Sequence, residues 1–461
     1  MLVPQACDLV DPTEVTNPNI VQSTQIGVPN STILYLNGMQ RQMAIVYNNH
    51  VVIAELGSDN YVNIQTFYNQ TFDVLGIQFQ DANINTAQFT IADLREGASF
   101  GIETLHPADP EATDIQLAEL YFYRGWANLL AGELFKTLPA VAEGPPVGSS
   151  IHLENAVADF LEAEAIDGNN ASYKLGLARA YYRLGDQVNA VAKSDEAIAL
   201  DNSFVRYAIY DATNGPTSTI QNALYDRGNF DDLQPLPRLD FLDPKHFAIS
   251  GSEDSNTVIQ KIEEAYLIKA EAEVADGDVD GARSVLNDLL AVVESRAVST
   301  IDETIEQRNN SEELTVRPAS SLVRVRSEAS DSLRSGLVID RVSNAVVATL
   351  SGTSVTSGYL SNVTNQDAML ETVYLMRQEI FMAEGRRFTD LGLKMPVSET
   401  EQLSNSNVGA TDIEPQIPAF LPATEMDAFT FNVAGNECTI THNMNSILVQ
   451  NKDSDLVLPF H

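Results

Sequence analysis

The stretch ASYKLGLARAYYRLGDQVNAVAKSDEAIAL, Ala171 to Leu200, decides how the chain is read. Leu175, Ala178, Tyr181 and Tyr182 recur at spacings of three and four, and Ala190, Ala197 and Leu200 keep a helical period after Gly185-Asp186. That spacing predicts two amphipathic helices joined by a tight turn, each with one apolar face that must meet the other. A second copy lies at YLIKAEAEVADGDVDGARSVLNDLL, Tyr266 to Leu290. Setting Gly277-Asp278 on Gly185-Asp186 also sets Ala270 on Ala178, Ala272 on Ala180 and Ala282 on Ala190. Small residues at these places let two helix backbones approach closely, as in a tetratricopeptide helix pair.

Working outward, Asp114 to Leu138 reads as a strong helix closed by Pro139, with Trp126 on an apolar stripe beside Leu120, Tyr123, Ala127 and Leu130, a core position. Asn155 to Ile166 is its partner helix, and residues 140–153 between them read as a Pro/Gly/Ser-rich loop. Ser31 to Leu56 shows helical spacing for one or two helices, while Ile45-Val46-Tyr47 and Val51-Val52-Ile53 also suit strands. A short helix is expected to start at Thr90, and Asp367 to Leu391 reads as a long helix or a broken pair. Pro12, Pro18 and Pro29 make residues 8–30 extended, and 201–257, 297–366 and 393–461 are turn-rich excursions. The expected fold is mainly α: tetratricopeptide-like helix pairs form a superhelical scaffold, with long irregular excursions and minor β-hairpins. One domain is expected over 1–461. It comprises a loop-rich and helical part at 8–110, the scaffold at 114–296 and 367–392, and the excursions as the loop-rich ligand side.

The formal net charge of −37 comes from 64 acids beside only eight lysines, which argues against nucleic acid or an anionic membrane surface as direct partners. Such an acidic surface suits a high-salt environment, where screening weakens self-repulsion. No run approaches the length of a transmembrane helix. With only Cys7 and Cys438, one disulfide is conceivable and a thiolate metal cluster is not. No phosphate-binding glycine loop, nucleophile elbow or HExxH is present, and the six histidines do not cluster. Asp276-Gly277-Asp278-Val279-Asp280-Gly281 begins like a calcium loop, but Asn287 stands where a bidentate Glu is needed, so it reads as the turn of the second helix pair.

Five places resemble one family, the SusD/RagB outer-membrane nutrient-binding lipoproteins. They are the polar start Cys7-Asp8-Leu9, the helix LAELYFYRGWANLLAGELFKTLPAV, LARAYYRLGD at Leu177 to Asp186, EEAYLIKAEAEVADGD at Glu263 to Asp278, and RQEIFMAEGRRFTDL at Arg377 to Leu391. The last is the most specific, similar to R-x-E-L-x-x-E-G-x-R-x-x-D-L at Arg377, Glu379, Glu384, Gly385, Arg387, Asp390 and Leu391. Leu421-Pro422-Ala423-Thr424-Glu425 and Val449-Gln450-Asn451 resemble the closing elements. The motif carboxylates and arginines are read as a structural charge network on one helix, with Gly385 allowing close backbone approach.

The resemblance implies a non-enzymatic surface protein without cofactor or metal, anchored by a lipid on Cys7. It binds a nutrient, an oligosaccharide or polysaccharide, and passes it to a TonB-dependent SusC-like transporter. The loop aromatics Tyr61, Tyr68, Phe100, Tyr225, Phe230 and Tyr359, with His246, are the candidate ligand contacts, since sugar capture uses flat rings beside amides and carboxylates. Two other readings remain: a tetratricopeptide adaptor holding a peptide, and a carboxylate-dependent glycoside hydrolase.

Overall fold

The computed structural model describes residues 26–63, 70–225, 233–246, 254–305, 317–457 and 460. Cys7, Tyr68, Phe230 and the side chain of His246 lie outside the described residues.

Helix α1, Ser31–Leu56, is a single helix, so the strand alternative at 45–53 falls. Its start has no local side-chain cap, and Asp109 supplies one from afar, accepting from the backbone N–H of Asn30 at 3.0 Å and of Thr32 at 2.9 Å. Helix α2, Ala82–Phe100, begins at an Asp81 cap well before Thr90, the start expected from the sequence. Helix α3, Asp114–Leu134, opens with a Thr113–Gln116 capping box. It ends four residues earlier than its periodicity suggested. Phe135 turns extended to bridge Met395, and Thr137–Pro139 becomes a strand paired with Pro146–Gly148. Helix α4, Ser149–Ile166, therefore starts inside the segment read as loop.

Trp126 is fully buried, stacked on Phe122 at 5.5 Å, and its indole N–H donates to the Tyr47 hydroxyl at 3.2 Å. Glycines set the α3–α4 spacing: a Cβ on Gly125 would lie 2.9 Å from the Phe160 ring, and one on Gly132 2.8 Å from Leu153.

The two repeat copies are α5, Ala171–Arg183, with α6, Gln187–Leu200, and α7, Glu263–Ala275, with α8, Val279–Ser295. Ala178, Ala180, Ala190, Ala270, Ala272 and Ala282 are all buried. Both Gly-Asp turns are built alike. Gly185 (φ +75°) and Gly277 (φ +81°) take the left-handed conformation. The N–H of Asp186 reaches Tyr181 O at 2.9 Å, and that of Asp278 reaches Glu273 O at 2.8 Å. Each Asp carboxylate then caps the next helix, accepting from Asn189 N or Gly281 N. The Asp278 carboxylate of the calcium-like hexapeptide is thus engaged as a helix cap. In space α4 packs on α5 and α6 on α7, so the pairs form a continuous stack although an excursion separates them in sequence.

The 367–391 segment is a broken pair: α9, Gln366–Ile380, then a turn, then the short α10, Arg387–Asp390. Strands are few and short, but they are not confined to hairpins. Tyr61–Asn63 pairs with Leu233–Pro235, Val205–Ala208 with Thr257–Lys261, and Val298–Asp302 with Asn344–Ala348, while Arg324–Arg326 runs parallel to Glu437–Ile440. These pairings close the excursions on themselves and tie them to one another and to the N-terminal part. A last helix, α11, Met444–Gln450, lies against α9.

Candidate ligand-binding site

The 377–391 motif folds into a buried charge network. Arg377 Nε donates to Asp390 Oδ2 at 2.7 Å, and Arg183 donates to Asp390 Oδ1 at 2.8 Å and to Glu133 at 2.9 Å. Arg179 also pairs with Glu133, so the repeat helices are tied to the motif through two carboxylates. Burial alone would raise the pKa of Glu133, but Arg179 and Arg183 outweigh it and hold the group well below the usual carboxylate range.

Glu384 receives Lys261 at 2.7 Å and Lys245, and Arg387 grips Asp59 with two bonds. Gly385, at φ +71°, donates its N–H to Glu55 at 2.9 Å and bonds His50 Nε2 through its carbonyl; a Cβ there would lie 2.9 Å from that ring. The network is structural, as expected, with one change: Glu384 and Gly385 lie in the turn between α9 and α10 and not on one helix.

Glu379 of the same motif holds the 297–366 excursion. It accepts from Thr353 Oγ1 at 2.7 Å and from Ser354 N and Oγ at 2.8 and 2.6 Å. Directly beside it the pairing stops. Arg238 is 5% exposed, and among the described residues it makes no hydrogen bond and no ion pair. Burial lowers its pKa against the attraction of Glu379, Asp59 and Glu371. Further out, Glu371 and Asp331 both feel the charge of Arg238, and Glu328 lies beside Asp331, whose N–H donates to the Glu328 carbonyl at 3.1 Å. Burial raises Glu371 and Asp331; repulsion from Asp331 and Glu328 adds to it at Glu371 and from Glu328 at Asp331, while Arg238 pulls both down. Glu371 keeps one contact, from Asn443 Nδ2 at 2.6 Å, and Asp331 is exposed.

The aromatics chosen from the sequence are dispersed. Tyr61 is 1% exposed and sits in its strand, Tyr225 is largely buried near it, and Phe100 packs on Tyr35 at 5.8 Å. Among the described candidates only Tyr359 is open, 39% exposed, with the Arg334 guanidinium 5.5 Å from its ring centre. Arg334 lies three residues past Asp331 and donates to Ser354 O at 2.7 Å, which links Tyr359 through Ser354 to Glu379. Arg238 is not among the residues chosen from the sequence, although it sits in the turn-rich excursion 201–257.

On the helix-pair side a cavity of about 470 Å³ lies between α3, α4, the Gly185 turn and residues 454–457. Lys394 lines it, its Nζ held by Gly132 O at 2.6 Å and Ser149 Oγ at 2.5 Å, with its pKa pushed down to about 8 by burial and by Arg183. Among the described residues no group of three or more His, Cys, Asp or Glu is placed to hold a metal ion.

No protein-family model and no curated protein matches the chain. Solved structures do. A SusD-like protein from Bacteroides fragilis NCTC 9343 superposes with a TM-score of 0.58 at 11% identity, covering 85% of this chain and 98% of that one. A SusD superfamily protein from Parabacteroides distasonis ATCC 8503 gives 0.56 at 11% identity over 85% and 99%. One from Bacteroides thetaiotaomicron VPI-5482 gives 0.55 at 13% identity over 83% and 98%. The fold is SusD-like. In this SusD-like chain the helix pairs are the scaffold, and the Arg238 region lies where α9 meets the excursions.

Proposed function

We propose that the chain is a non-enzymatic capture protein. It binds a nutrient glycan at its excursion side and delivers it to a TonB-dependent SusC-like transporter, held at the outer membrane by a lipid on Cys7. The observation that carries the reading is the SusD-like fold over nearly the whole length of its structural neighbours, with the 377–391 motif at the centre of the packing. In support, the motif's acids and arginines are engaged in structural pairs, Arg377 with Asp390 and the others with residues elsewhere in the fold, and the polar groups next to them are of the kind that bind hydroxyls. The second helix pair, α7 and α8, is backed by α9 rather than left as an open groove, which disfavours the peptide-adaptor reading.

The test is affinity electrophoresis and calorimetry of the chain across polysaccharides and peptides, alone and with the partner transporter. Retardation by at least one polysaccharide, without release of reducing ends, is expected. Silence towards every polysaccharide with the transporter present would sink the proposal. Loss of membrane attachment in Cys7→Ser tests the anchor.

A further inference from the structure

An arginine that is 5% exposed and has no partner among the described residues is costly, because it gives up most of its hydration and regains no hydrogen bond, yet its nitrogens are not fully enclosed and remain within reach from the surface. At Arg238 the inward carboxylates are already committed: Asp59 to Arg387 and Gln378, Glu379 to Thr353 and Ser354. The outward ones, Glu371, Asp331 and Glu328, stand together without a cation of their own among the described residues. Asn443 lies against Glu371, and Asn445 donates to Gln378 at 2.9 Å, so amides flank the same place.

Three chemistries compete for such a place. An anion would satisfy Arg238 but meets three surplus carboxylates on a chain of net charge −37. A divalent cation would satisfy the acids but is repelled by Arg238. A hydroxyl does both, since it accepts from a guanidinium and donates to a carboxylate with no charge of its own. Vicinal hydroxyls match the planar fork of an arginine.

We propose that Arg238, Glu371, Asp331 and Glu328 form the seat for a neutral, hydroxyl-rich sugar, with Asn443 and Tyr359 at its edge. This rests on the capture reading and narrows it to uncharged glycans, excluding uronates and sulfated chains as the preferred ligand.

The full chain is titrated with soluble glucan, mannan, galactan and xylan as neutral probes, and with polygalacturonate and alginate as acidic ones. A neutral probe binds, with an affinity that changes less than about threefold between 0.1 and 1 M salt, because no net charge is neutralised. Arg238→Met and the double variant Glu371→Gln/Asp331→Asn each weaken it at least about tenfold, the size of one or two lost hydrogen bonds to charged groups. Both variants keep a thermal midpoint no lower than the parent's, which separates a lost contact from a lost fold. Tight binding of the acidic probes with none of the neutral ones overturns the charge class. A neutral probe that binds parent and both variants equally overturns the seat and leaves capture standing. No binding of any polysaccharide by the parent, with the transporter present, removes capture and this seat together.

Discussion

Two charged regions built around arginines lie side by side along α9. In the first, Arg377, Arg387 and Glu384 are buried with partners at 2.5–2.9 Å; in the second, Arg238 is equally buried with none among the described residues. The difference separates charge that specifies the fold from charge held for something else. A buried ion pair roughly breaks even against apolar packing, but breaking one is expensive, so paired charges fix one arrangement of helices. An unpaired charge only costs, and its place in the fold asks for a ligand.

Removing one partner of a buried pair should cost the most. Glu384→Ala strands Lys261, which is fully buried and whose pKa burial already pushes down to about 8 against the pull of Glu384. The expected loss is about 3–5 kcal/mol in urea unfolding. The double variant Lys261→Met/Glu384→Met should recover most of it. A loss in Glu384→Ala below about 1 kcal/mol would show that the network is not structural.

Next in size is Gly385→Ala. The left-handed φ of +71° costs an L-residue about 1–2 kcal/mol, and the new methyl meets the His50 ring, so a loss of about 2 kcal/mol or more is expected. The same substitution at Gly277, where a Cβ meets nothing within 4 Å, should show the backbone cost alone.

The pH profile gives a smaller signal with a definite shape. Burial pushes Glu55 and Glu271 up to about 7 from 4.5, so their contribution is full below 4.5 and is lost as pH rises through 7. Burial pushes His50 and His152 down to about 4 from 6.5, so theirs is lost as pH falls from 6.5 through 4. The two slopes oppose each other, and stability should vary by only about 1 kcal/mol between pH 5 and 6.5. Below 4.5 Glu133, held low by its arginines, begins to lose its contribution, and nothing opposes it in this set. Calorimetry at constant ionic strength should show a plateau and then a steep acid limb; a steady climb from pH 4 to 8 would contradict the assignment.

How much of this was legible in the sequence follows from the range of each interaction. The Gly-Asp turns are local, since glycine supplies the left-handed residue and the next Asp caps the following helix, and they placed α5 to α8 correctly. The motif at 377–391 announced its charges, although the break at Phe381 depends on Lys261 and Glu55 reaching the turn from far away. The short strands were invisible because partners such as Tyr61 and Pro235 are distant in sequence, and that pairing is what buries Tyr61 and removes it as a ligand platform. Arg238 carries no sequence signal, because being unpaired is a property of its neighbours in space.

The last test turns on sign. For the paired arginines any truncation should destabilise, but Arg238 gives up hydration on folding and gains only distant attraction, and its lowered pKa says that the folded state disfavours its charge. A group held charged at neutral pH in such a place detracts from stability by the work of keeping it charged. Arg238→Met keeps the length and packing of the stem while removing that work, so the thermal midpoint should rise slightly, by the equivalent of zero to about 1 kcal/mol, where Arg377→Met should lower it by several. The two variants differ in the same chemical change, at similar burial, on neighbouring elements. Their opposite response in one melting experiment would separate an arginine that builds the fold from one that the fold merely carries. If Arg238→Met were instead destabilised as strongly as Arg377→Met, the arginine would be part of the scaffold and the acidic groups around it ordinary surface.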